Sequence, residues 1–306
     1  MMLQALPWWF KTALLGAGLA CLYALEQQWP TLGVWLFVGL SLTSGMGHGA
    51  LDTALLLGQF KPHSRAMLYG LLYLALTLLS GWLLSLSFAW ALIALLLMSV
   101  WHFGELYAQR IWLRLAVGGV SVMAPALLQS TVLGQLLQEA APEHAPRLLS
   151  LWSGLAWAWA ALACLVVFTG LRSQRNRTMF GNNTGNLQAQ AVLEISIVLA
   201  LNWVLSPLFA FALYFGLYHC TAHIARVQRA AVRHQGLSGG QVAWAWCASM
   251  LLTAVLMAAL WQWLPSAGQW AGRGDAQLLH WLVVALGAVT VPHLLLVGYS
   301  GRWLGH

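Results

Sequence analysis

Long apolar stretches recur along the whole chain, separated by short polar breaks. A helix needs roughly 20 mostly apolar residues to cross a bilayer. On that measure the pattern predicts about ten spans, near 8–25, 31–57, 66–87, 88–108, 112–137, 148–171, 190–205, 207–228, 241–264 and 277–299. The second is long, and the glycines at 45, 47 and 49 permit a break in it. The seventh is short and stops before Pro207. The longest polar stretch, 172–188, is expected to be a loop. No internal repeat, linker or separate soluble segment interrupts the pattern. Residues 1–306 are therefore read as a single polytopic transmembrane domain, an all-α integral membrane bundle.

Composition agrees. The chain is 60% hydrophobic and 7% charged, where a soluble domain carries about 25% charged residues. The formal charge of +7 forms no patch, which argues against a nucleic-acid partner. With the N-terminus in the cytoplasm, 12 of the 14 basic residues fall on inner ends and loops, leaving only Arg147 and Arg273 outside. Glu26, Glu139, Glu143 and Asp275 fall outside as well. This bias places both termini in the cytoplasm and the chain in the inner cell membrane. The first 25 residues resemble a signal peptide, but an uncleaved first helix is expected because the rest is equally apolar. Cys21, Cys164, Cys220 and Cys247 lack CxxC spacing and read as small core residues.

The histidines carry the chemistry. His63, His144, His234, His280 and His306 fall in loops or at span ends. His48, His102, His219, His223 and His293 fall inside the second, fourth, eighth and tenth spans, which all run from outside to inside. They lie roughly 12 to 17 residues from the outer ends, a spread of about 8 Å at 1.5 Å per residue. His219 and His223, at i and i+4, share one helix face and can reach one metal. Asp52 follows His48 by four residues and Glu105 follows His102 by three. These two are read as the carboxylates well inside a span, placed either to orient a ligating imidazole or to bind metal themselves. A single intramembrane histidine is ordinarily a helix–helix contact, but five at one depth point to a shared metal site or a proton relay. Imidazole suits Zn, Cu, Fe and Ni. Cys220 points about 100° away from His219 on an ideal helix and reads as packing. Trp8, Trp9, Trp29 and Trp303 read as interface anchors. Trp101, Tyr214, Phe215 and Tyr218, near the histidine level, are candidates to line a slot for a long apolar substrate, or simply to pack.

These residues also carry a resemblance. GMGHGALDTALL at 45–56, SVWHFGE at 99–105, YFGLYHCTAH at 214–223 and TVPHLLLV at 290–297 resemble the four blocks of the Brp/Blh family of bacterial and archaeal membrane β-carotene 15,15'-dioxygenases. The chain departs from the family pattern in having Gly47 where Pro is usual, and Cys220 and Ala222 where Ser and Arg are usual. The resemblance implies a non-haem Fe2+ enzyme, with one iron per chain, cleaving the central double bond of β-carotene with O2 to give retinal. It implies His48, His102, His219 and His223 as iron ligands, and leaves His293, Asp52 and Glu105 as second-layer or exchangeable ligands. Lipid-dissolved carotenoid is the implied substrate and a rhodopsin apoprotein a possible functional partner. Two other classes stay open on the residues: another single-metal membrane oxidoreductase, and a non-enzymatic histidine-lined proton or metal transporter or carotenoid- or retinal-binding partner protein. Two-metal membrane hydroxylases and desaturases usually carry more HxxxH and HxxHH clusters than the single HxxxH found here.

Overall fold

The computed structural model describes residues 8–29, 31–52, 56, 63–180, 184–236, 238–263 and 274–304. Its elements are α1 (Trp8–Gln28), α2 (Leu32–Leu40), a π-turn (Ser41–Gly45), α3 (Met46–Ala50), α4 (His63–Ser85), α5 (Phe88–Phe103), a 3₁₀ turn (Glu105–Tyr107), α6 (Ile111–Leu128), α7 (Ser130–Ala140), α8 (Ala145–Phe180), α9 (Thr184–Val204), α10 (Pro207–Ala212), a second π-turn (Leu213–His219), α11 (Cys220–Gln235), α12 (Gly239–Trp263) and α13 (Gly274–Leu304). No strand occurs among the described residues. Five helical stretches are long and apolar enough to cross a membrane: Arg65–Ser85, Ile111–Leu128, Ala145–Gly170, Leu187–Val204 and Pro207–Arg233. Phe88–Phe103 and Leu282–Gly298 are shorter apolar helices. The described residues are thus all-helical apart from short turns, with the long apolar helices of a membrane protein.

Large apolar side chains cover much of the protein's outward surface. Trp82, Trp90, Trp157, Trp203 and Trp244 all point away from the protein, as side chains facing hydrocarbon can. Inside, small residues let backbones approach, the usual way helices associate where lipid removes any hydrophobic preference. In α6, residues Ala116 to Val122 are all buried, packed between α5, α8 and α9. A Cβ on Gly118 would stand 1.9 Å from the Val100 carbonyl oxygen, and one on Gly104 would stand 2.0 Å from that of Arg114. The α5–α6 crossing therefore requires glycine on both sides. α13 packs on α4 and α5, α2 packs on α10, and α3 packs on α11 and α12. Across the last contact the Trp246 indole donates to the Gly47 carbonyl oxygen at 2.8 Å.

The structure refines the sequence expectation at several points. The second predicted span does not break at the glycines over its described part: the helix runs on from Leu32 to Ala50 and only changes winding, through a π-turn at Ser41–Gly45. The fifth, 112–137, is not one helix but α6 and α7, broken at Gln129. The Gln129 side-chain amide donates to the Asn202 and Leu205 carbonyls at the end of α9. The polar stretch 172–188 is not a loop through its length: α8 continues to Phe180 and α9 starts at Thr184. Arg and Gln are good helix formers, so the α8 ladder continues through its polar end. Of the cysteines only Cys220 is buried, while Cys21, Cys164 and Cys247 are exposed; an apolar stretch facing lipid reads like one facing the core. Glu26 is also buried, accepting the Ser206 backbone N–H at 3.0 and 3.2 Å. There it satisfies an orphan donor at the start of α10.

Candidate metal centre

Four elements carry the intramembrane histidines inward. α3 brings His48, immediately after the first π-turn. The last turn of α5 brings His102. The second π-turn ends at His219, and α11, which continues it, brings His223 one turn further on. α13 brings His293, next to Pro292. All five imidazoles are buried. π-segments inserted in α-helices are found disproportionately at functional sites, and here one precedes His48 and the other ends at His219.

The rings meet at one point. His48 Nε2 lies 2.9 Å from His293 Nε2 and 3.1 Å from His102 Nε2. The His48 and His223 rings stack with centroids 4.1 Å apart and planes 8° apart. One ligand nitrogen from each of His48, His102, His223 and His293 falls within 4.8 Å of the others. Two nitrogens each about 2.1 Å from one ion, at right angles, are separated by about 3.0 Å, so the close Nε2 pairs match adjacent ligands of a single metal. Both nitrogens of His223, Nε2 of His219, and Nδ1 of His48 and His102 are buried without a hydrogen-bond partner. The bare Nε2 atoms of His219 and His223 carry a full desolvation cost in an apolar interior, and a cation between the rings would remove it. Donor set, spacing and bare nitrogens all fit a histidine-ligated metal.

Two carboxylates stand behind the imidazoles. His293 Nδ1 donates to Asp52, 2.9 Å from each carboxylate oxygen, and the Tyr73 hydroxyl donates to Asp52 Oδ2 at 2.7 Å. That bond holds the Nδ1 proton on His293 and turns Nε2 to the centre. Glu105 Oε2 lies 3.5 Å from His102 Nδ1 and 3.8 Å from His223 Nδ1. Asp52, expected beside its own helix neighbour His48, thus serves His293 across the bundle. His293 in turn belongs to the tightest group of four. His219 sits at its margin, with ring centroids 4.9 Å from His102 and 5.4 Å from His48. Among the remaining histidines, His144 is exposed; the side chains of His63, His234 and His280, and all of His306, lie outside the described residues, as do the side chains of Trp8, Trp9 and Trp303.

An apolar cavity reaches the centre. Phe103, Phe211, Phe215, Leu95, Leu286 and Val289 are among its walls, and His48, His102 and His293 stand at it. The Phe211 and Phe215 rings stack at 5.5 Å. Of the four aromatic residues singled out from the sequence, Phe215 lines this cavity. Trp101 is 46% exposed, with the Arg114 guanidinium 3.6 Å over its ring. Tyr214 and Tyr218 instead donate to Glu194, at 3.1 and 3.3 Å. Glu194 is a buried carboxyl group within the apolar stretch Leu187–Val204 that the sequence reading passed over. Its signal was there: one acid within the apolar run AVLEISIVLA. It lies near the start of the predicted seventh span, where an interfacial acid is unremarkable; the helix in fact begins earlier, at Thr184.

Comparison with known proteins matches the beta-carotene 15,15'-dioxygenase family over residues 40–299, a range that includes all five histidines. A relative from uncultured marine bacterium 66A03, itself a beta-carotene 15,15'-dioxygenase, is 25% identical over 283 residues, covering 88% of this chain and 94% of the relative. No solved structure matches the chain. Family match and histidine geometry converge: the chain belongs to the beta-carotene 15,15'-dioxygenase family, and its enzyme class is that of a carotenoid-cleaving dioxygenase.

Proposed function

We propose that this protein is a membrane non-haem iron dioxygenase that cleaves the central 15,15' double bond of β-carotene, or a closely related carotenoid, with O2 to give retinal. The observation that carries this reading is the convergence of ligand nitrogens from His48, His102, His223 and His293 within 4.8 Å, at the end of an aromatic-walled apolar cavity. These four imidazoles would hold one Fe2+, with His219, whose Nε2 is bare, as a fifth donor. When bound, the iron supplies the binding and activation of dioxygen, chemistry that this set of side chains lacks.

The residues of the chain do the rest. Asp52 fixes the His293 tautomer, and Tyr73 holds Asp52 in place. Glu105 stands behind His102 and His223 and offsets the charge of a divalent ion. Phe211 and Phe215 present flat faces to a polyene, and the apolar walls keep water from the reacting double bond. A carotenoid is dissolved in the bilayer, so the natural entrance is sideways between helices. We further assign the chain about ten spans in one polytopic domain of the inner cell membrane, with both termini cytoplasmic. The retinal produced suits transfer to a rhodopsin apoprotein.

The test is expression in a bacterium that accumulates β-carotene, with product analysis. Wild-type protein yields retinal and purifies with one iron per chain. Alanine at His48, His102, His223 or His293 abolishes cleavage. Purified, iron-loaded protein that leaves β-carotene intact under dioxygen removes this activity, and a metal-to-protein ratio of two returns the case to the di-metal membrane oxidoreductases.

A further inference from the structure

Glu194 lies on α9, buried within the apolar stretch Leu187–Val204. A carboxyl group there is costly unless something replaces water around it. Among the described residues no cationic side chain forms an ion pair with it. Three tyrosine hydroxyls take that place. Tyr107 donates to Oε2 at 3.2 Å, Tyr218 to Oε2 at 3.3 Å and Tyr214 to Oε1 at 3.1 Å.

The three hydroxyls come from the two arms that flank the metal centre. Tyr107 closes the 3₁₀ turn that begins at Glu105, just after His102. Tyr214 and Tyr218 lie in the π-turn Leu213–His219. Their rings stack at 5.8 Å, and the Tyr214 ring packs on Phe103 at 5.6 Å and 6.4 Å from His219. A π-turn is in effect one extra residue wound into an α-helix, and it persists only where its surroundings hold it. Relaxing it to α-winding would rotate the C-terminal part of the helix by about 100° relative to Tyr214. His219 is the last residue of that turn.

We propose that Glu194 is a positioning residue of the metal centre: by gathering the hydroxyls of Tyr214 and Tyr218 it locks the π-turn, and the locked turn presents His219 to the ion. Tyr107, on the same carboxyl oxygen as Tyr218, ties the His102 arm to the same anchor. This rests on the metal-centre reading above.

The full-length protein in lipid nanodiscs tests it, with Co2+ as a probe whose d–d absorption reports ligand number and geometry. Glu194→Leu weakens Co2+ binding by about 10- to 100-fold, the range seen when the partners of metal ligands are removed, and changes the absorption spectrum. Glu194→Gln, whose amide oxygen still accepts tyrosine hydroxyls, recovers most of the affinity. In a His219→Ala background, Glu194→Leu produces no further loss, because the residue through which it acts is gone. The Tyr214→Phe/Tyr218→Phe double variant follows the same pattern and stands in if Glu194→Leu does not fold. A wild-type spectrum in the folded Glu194→Leu or double-Phe protein, or losses that simply add to that of His219→Ala, overturns the positioning role while leaving the metal centre intact. Failure of wild-type protein to bind Co2+ at all overturns both.

Discussion

Gly49 shares a helix face with Gly45, His48 and Asp52, and both glycines line the apolar cavity. The two differ in the room beside them. A Cβ on Gly45 would stand 2.9 Å from the Phe215 ring, whereas one on Gly49 would meet no atom within 4 Å. A side chain at 49 therefore grows into cavity space rather than into packed protein. If the cavity holds the polyene, Gly49→Ala, Val and Leu should lower retinal formation in step with volume. The leucine variant should fall on the order of 100-fold, the scale on which misplaced substrate loses rate, while iron stays at one per chain. A leucine variant that cleaves like wild type would place the substrate elsewhere. Behind the histidines, Asp52→Asn keeps the shape of the carboxylate but loses the charged acceptor for His293 Nδ1. Iron affinity in Asp52→Asn should drop about 10- to 100-fold, with Tyr73→Phe milder, measured by metal competition. At this scale the sequence was informative about which residues matter, since an imidazole or carboxylate in an apolar run stands out. It was silent on pairing. Spacing joins Asp52 to His48 and His219 to His223, but ring direction depends on how α3, α5, α11 and α13 cross. That crossing gives Asp52 to His293 and puts His293, not His219, in the tightest group.

Periodic apolarity located the helices but not their interruptions, because breaks are made by single side chains reaching across the bundle. Gln129 ends α6 while its amide serves carbonyls at the end of α9, and nothing local in 112–137 announces that partner. Close crossings are legible only as glycines, and not every glycine is one. Gly118 faces the Val100 carbonyl oxygen at a distance, 1.9 Å from an added Cβ, that no side chain can occupy, whereas a Cβ on Gly154 of α8 meets nothing within 4 Å. Gly118→Ala should force α5 from α6, at a cost of about 1–3 kcal/mol or more for overpacking, and loosen His102 with it. Gly154→Ala should be neutral or slightly stabilising, as alanine is the better helix former. Thermal unfolding in detergent, followed alongside bound iron, separates the two. Equal melting temperatures for both variants would mean that the α5–α6 contact does not hold the His102 arm.

At the scale of the molecule, lipid inverts the usual reading of an apolar residue. Cys21, Cys164 and Cys247 sit in apolar stretches and face outward, so hydrophobicity alone cannot sort inside from outside here, whereas charge can sort the two ends. α8 has 36 residues, roughly 54 Å at 1.5 Å per residue, against a hydrocarbon core of about 30 Å. Its apolar part is Ala145–Gly170, and the remainder carries Arg172, Arg175 and Arg177. Such an end belongs in water, and by the positive-inside rule its three arginines favour the cytoplasmic side. At the other end of α8 the connection from α7, residues 141–144, has Arg147 nearby with Glu139 and Glu143, and no cluster of positive charge. If both termini are cytoplasmic, alkaline phosphatase, which is active only when exported, should be active when fused at 141–144 and inactive when fused at 181–183. Replacing Arg172, Arg175 and Arg177 together by glutamine should weaken that contrast, because the retention signal is local positive charge. The opposite activity pattern at the two positions would reverse the orientation. The histidines, counted above from the outer ends of their spans, would then be counted from the inner ends, with the centre's geometry unchanged, since that geometry depends on helix crossings and not on which side of the membrane they face.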